Sequence, residues 1–150
     1  MRLVLLAALI AVQATCSGSC NTNQGGAPSH HLVFTGPAAG TLSQANADCR
    51  NYVDATQLNV LLTGTLDGKS LTFNIQVNQG YKGAGSYPIG TLLDGAANLR
   101  LQVGTYVGSS GSNAGTLTIK SDGKSGELDS DLSDGEHVNG TFACTEVVKA

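Results

Sequence analysis

Residues 57–77, QLNVLLTGTLDGKSLTFNIQV, decide the fold. Leu58, Val60, Leu62 and Leu66 share one parity, while Asn59, Thr63 and Thr65 share the other. After Asp67-Gly68, Leu71, Phe73, Ile75 and Val77 alternate with Thr72, Asn74, Gln76 and Asn78. A period of two sends one set of side chains to a dry face and the other to a wet one, as in a strand of an antiparallel sheet. Asp-Gly supplies the positive φ angles of a two-residue turn, so the two runs are predicted to pair as a hairpin.

The same pattern continues on both sides. Leu99, Leu101, Val103 and Val107 alternate with Asn98, Arg100 and Gln102, and Leu117 and Ile119 with Thr116, Thr118 and Lys120, before a second turn at Asp122-Gly123. Leu128 and Leu132 point inward, with Glu127, Asp129 and Asp131 outward; Asp134-Gly135 then leads into a strand carrying Val138, Phe142 and Cys144 on one face. Shorter strands are predicted at 31–35 and 40–43, broken by Gly36-Pro37. Beyond the first residues, nothing shows helical spacing over about 11 residues. Only 45–57 is assigned a helical turn or irregular loop. Neighbouring hairpins without helical crossovers predict an all-β fold, an antiparallel β-sandwich or partly open barrel of about seven or eight strands.

Composition agrees. The chain has 150 residues, 41% hydrophobic and only 13% charged, with 20 Gly, one Met and no Trp. That is one domain's length, rich in turn formers and too poor in charge for a coiled coil or a disordered chain. Eight Lys and Arg against 11 Asp and Glu give −3. No basic face is available for a phosphate backbone, so no nucleic-acid partner is expected.

The amino terminus reads as an export signal. Met1 and Arg2 precede an unbroken apolar run at 3–12, followed by Gln13, Ala14 and Thr15; the order is that of the charged, apolar and cleavage regions of a signal peptide, assigned to 1–15. A run of that length in a helix covers about half the hydrocarbon core, too little for a permanent span. Cleavage after Ala14 would release a chain beginning at Thr15. Alternatively, Ala14-Thr15-Cys16 resembles a bacterial lipobox, in which Cys16 takes a diacylglycerol and becomes the new amino terminus. The polar segment that follows, within 16–30, is a flexible tether suited to an anchored domain at 31–150.

Four cysteines fall into two groups, Cys16 and Cys20 at the leader and Cys49 and Cys144 in the domain. An exported chain meets an oxidising compartment, so Cys49 and Cys144 are predicted to form a disulfide. Neither has a second cysteine or histidine at metal-ligand spacing.

Few residues carry chemistry. Adjacent His30 and His31 point to opposite faces of an extended chain, and with His137 are read as surface residues. Residues 64–70, GTLDGKS, lack one residue between the glycines of a phosphate loop, and residues 108–112, GSSGS, are a loop rather than a nucleophile elbow. No enzyme activity and no cofactor are expected. Asp129 and Asp131, with Asp134, offer hard oxygen ligands, so a calcium-binding or metal-dependent module using strand 127–136 is the alternative reading; the loop spacing of an EF-hand is absent. Tyr81 and Tyr87 flank glycines in GYKGAGSYPIG, a loop whose rings could stack on a sugar or peptide.

The segments YKGAGSY at 81–87, SDGKSG at 121–126 and GTFAC at 140–144, with Cys49 and Cys144 near the domain's ends, resemble those of small actinobacterial-type cell-envelope lipoproteins, including the mycobacterial lipoprotein antigen group. The resemblance covers roughly residues 40–146 and implies a surface-exposed, non-enzymatic β domain. The expected location is extracytoplasmic, at the outer membrane face through a lipid anchor or secreted, with an unidentified protein or glycan ligand.

Overall fold

The computed structural model describes residues 29–52, 54–90 and 94–150; the predicted signal peptide, Cys16, Cys20 and the tether to residue 28 lie outside the described residues. Among the described residues eleven strands follow in chain order: β1 (His31–Thr35), β2 (Gly40–Leu42), β3 (Ala45–Tyr52), β4 (Gln57–Leu66), β5 (Lys69–Val77), β6 (Gly85–Ile89), β7 (Ala97–Val103), β8 (Tyr106–Ile119), β9 (Ser125–Leu132), β10 (His137–Ala143) and β11 (Val148–Lys149). A 3-10 turn, Ser133–Gly135, separates β9 from β10. The strands form one sheet in the order β11-β3-β4-β5-β7-β6-β8-β9-β10-β1-β2. The all-β, antiparallel character is as predicted; among the described residues parallel pairing is confined to β3–β11 and to one position between β6 and β7. The sandwich of seven or eight strands is corrected to one curled, half-barrel sheet of eleven.

The chain itself joins the two ends of the sheet. β2 lies at one end and β3 beside the other, yet only Ser43 and Gln44 separate them. One extended segment therefore pairs with β1 through β2 and with β4 through β3. Gly40 permits the approach, because a β-carbon there would lie 2.8 Å from Leu66 Cδ1 on β4. The alternating apolar residues face the interior, where Phe34 of β1 meets Phe73 of β5 edge to face at 5.6 Å across the curl. Burying one such side chain is worth about 1.5–3 kcal/mol. The predicted hairpin forms, with Leu66 opposite Lys69 and positive φ at both Asp67 and Gly68.

Three segments depart from the sequence reading. Residues 45–52 are a strand rather than a helical turn, because small residues and Cys49 alternate with Asn46, Asp48 and Arg50 and pair along their whole length with β4. Residues 85–89 form β6, with Pro88 exposed on a strand that pairs with β8 along one side and meets β7 only at Ile89, where a missing N–H is tolerated. Residues 108–112 belong to β8, whose register on β9 shifts between Ser110 and Gly115. Val107, read as an inward residue, is exposed there.

Candidate functional site

The predicted Cys49–Cys144 disulfide is present, with a Cα separation of 6.2 Å. It links β3 to the residue following β10, so it crosses the seam where the two ends of the sheet approach. His30 sits at the same seam. It is 2% exposed, a correction to the expectation of a surface histidine, and its Nδ1 accepts the Ala143 N–H at 3.4 Å. Burial lowers its pKa, an effect partly offset by interaction with the Ala45 backbone. His31 is exposed, as alternation requires.

The acidic strand is not gathered around a cation. Asp129 and Asp131 project outward from β9 as read, but their nearest partner is His137 on β10: Nδ1 lies 2.8 Å from Asp131 Oδ1 and Nε2 lies 3.6 Å from Asp129 Oδ1. Asp134 sits apart in the 3-10 turn at φ 60°. Among the described residues no three His, Cys, Asp or Glu side chains are grouped as a metal site. Strand geometry explains this, since successive outward residues on β9 are about 7 Å apart and their carboxylates cannot converge on one ion without a loop.

Tyr81 and Tyr87 do not form an open platform. Both are buried, and the rings stack on each other with centroids 5.7 Å apart. The Tyr87 hydroxyl accepts the Lys82 N–H at 3.0 Å and donates to the Gly83 carbonyl at 2.7 Å. The glycine-rich loop thus folds over a hydroxyl that a buried tyrosine must satisfy. The pair closes one part of the core rather than receiving a sugar or peptide.

Two features escaped the sequence reading. Glu136 is 1% exposed, and its Oε2 accepts the Ala38 N–H at 2.7 Å. It fastens the connection between β1 and β2 to the turn before β10. No local pattern announces this, because the donor lies 98 residues away. The second feature is a groove of about 640 Å³ where β2 passes into β3, lined by Ser29, Ser43, Gln44, Asn46, Thr63 and Thr65, with Ala45 and Gly64 between them. Its lining is neutral and hydrogen-bonding. The pairs Asn46–Thr63 and Ala45–Gly64 are direct cross-strand partners, so register brings the polar side chains together.

No family model matches the chain, and no curated protein matches it in sequence. Among solved structures, a redesigned β-barrel, mFAP1, bound to DFHBI, is similar at a TM-score of 0.44 and 18% identity, over 77% of this chain and 92% of that one.

Proposed function

We propose that this protein is an exported β module, held at the outer face of the membrane by a lipid on Cys16, that acts by binding and not by catalysis. The Cys49–Cys144 bond carries the reading: it joins distant parts of the chain and belongs to an oxidising compartment. The charged, apolar and small-residue order of residues 1–15 supports export, and the polar segment after Cys16 suits a tether. The resemblance to cell-envelope lipoproteins supports the same placement.

The test is metabolic labelling with a clickable palmitate analogue in a bacterial host that expresses the full chain. The expected result is a labelled protein in the membrane fraction and loss of label with Cys16→Ser. An unlabelled protein in the medium that begins at Thr15 would replace the anchor with secretion. Retention in the cytoplasm would overturn export itself.

A further inference from the structure

We infer that the groove between β2, β3 and β4 binds a neutral, polyhydroxylated ligand, the chemistry of an uncharged oligosaccharide. The inference rests on the binding-module reading and gives it a site.

Three observations converge. Two carboxamides, Gln44 and Asn46, and four hydroxyls, Ser29, Ser43, Thr63 and Thr65, line the groove. Amides and hydroxyls can both donate and accept, as sugar hydroxyls do. None of these six side chains hydrogen-bonds to another described residue, so their donors and acceptors stand open to a ligand. The groove also has the roughly 300–1,000 Å³ volume of small-molecule sites.

The lining selects by what it omits as well as by what it offers. It has no Lys or Arg for a phosphate or carboxylate and no Asp or Glu for an amine; its only apolar side chain is Ala45. A charged ligand would lose hydration without gaining a counter-charge, and a flat apolar ligand would find no wall. Gly64 shares the inward face with its partner Ala45, where a β-carbon would sit 3.0 Å from the Gln44 carbonyl oxygen and 3.4 Å from Leu42 Cδ1, so the glycine lets the 43–44 link lie close against β4. Cross-strand and along-strand spacings of about 5 and 7 Å set the side chains apart on the scale of a pyranose ring.

The experiment is a ¹H–¹⁵N titration of the processed protein with maltohexaose and cellohexaose as neutral probes and oligogalacturonate as the anionic one. A neutral hexasaccharide is expected to shift the amides of 43–46 and 63–65, with oligogalacturonate weaker or silent. Losing one hydrogen bond in Asn46→Ala or in the isosteric Thr63→Val should weaken binding about 2- to 10-fold, while Asp131→Ala on the far wall leaves it unchanged. Absence of shifts with both neutral probes, shifts confined to other strands, or tighter binding of oligogalacturonate would each overturn the site. Lipid labelling fails or succeeds independently: labelled protein without sugar shifts removes only this groove, and sugar shifts without label remove only the anchor.

Discussion

The wall formed by β3, β4, β5 and β7 and the wall formed by β8, β9, β10 and β1 share one interior but differ in how they fill it and in what they show to solvent. The first points large residues inward, Leu58, Val60 and Leu62 on β4 and Leu71, Phe73, Ile75 and Val77 on β5, and its registers run without a break. On β9 and β10 the second wall places Gly126, Ser130 and Gly140 at inward positions between Leu128, Leu132, Val138 and Phe142. Phe142 lies over Gly126, where a β-carbon would be 2.7 Å from its ring. Within the second wall, then, a large side chain needs a glycine beside it, since interiors pack at near-crystalline density. Outside, the first wall is mainly amide and hydroxyl, and the second carries Glu127, Asp129 and Asp131 around His137.

The contrast breaks most sharply at glycine. Gly140 has φ +129°, and a β-carbon on it would collide with the carbonyl oxygen of His31 on β1. Gly140→Ala adds left-handed strain to overpacking against fixed backbone, an expected loss of about 3–5 kcal/mol. Gly68→Ala, in the first wall's hairpin turn at φ +73° with nothing near it, should cost only about 1 kcal/mol. Urea denaturation of the two variants compares them directly. Equal losses would mean that the second wall does not depend on close backbone approach.

Next in size is the covalent link between the walls. Replacing Cys49 and Cys144 together by Ala releases a closure spanning 95 residues and should lower stability by about 2–4 kcal/mol. Mass spectrometry of a non-reduced tryptic digest must first show the two cysteines in one linked peptide. Smaller again, Asn74→Ala removes the bond to Asn59 on the first wall and should cost about 1 kcal/mol, against less than about 0.5 for Asp131→Asn among the exposed carboxylates of the second.

The first wall was legible because alternation alone sets its register, and Asp67-Gly68 fixes the turn. The disulfide was legible because only two cysteines fall in the domain. Strand β3 was hidden: its inward positions are Ala45, Ala47, Cys49 and Asn51, too small or too polar to mark a buried face. Single-sheet closure depends on Ser43 and Gln44 linking opposite sheet ends, which no local pattern encodes. For the same reason the groove could not be read from spacing; Asn46 and Thr63 become neighbours only through the β3–β4 register.

The smallest expected effect sharpens the comparison at the seam where the walls meet. His30 precedes β1 and touches both sides, through the Ala143 N–H after the second wall's last strand pairing and through the Ala45 backbone at the start of the first. Accepting the Ala143 N–H requires Nδ1 to be unprotonated, and a charged ring would place two donors face to face. The surrounding ionisable groups lie elsewhere: His31 is exposed, Asp48 and Arg50 on β3 pair with each other in solvent, and His137 on β10 is held by Asp129 and Asp131. Burial lowers the folded-state pKa of His30 below its ordinary 6.5, so near that pH the unfolded chain binds more protons. Its contribution is therefore complete above 6.5 and is lost as the pH falls through that value toward the folded-state pKa. Urea midpoints between about pH 8 and pH 5 should decline for the native protein and decline less for His30→Gln, whose amide still accepts the Ala143 N–H but does not titrate. His137→Asn should retain the His30 part of that slope. An identical slope in His30→Gln and the native protein would show that the seam is held without its histidine.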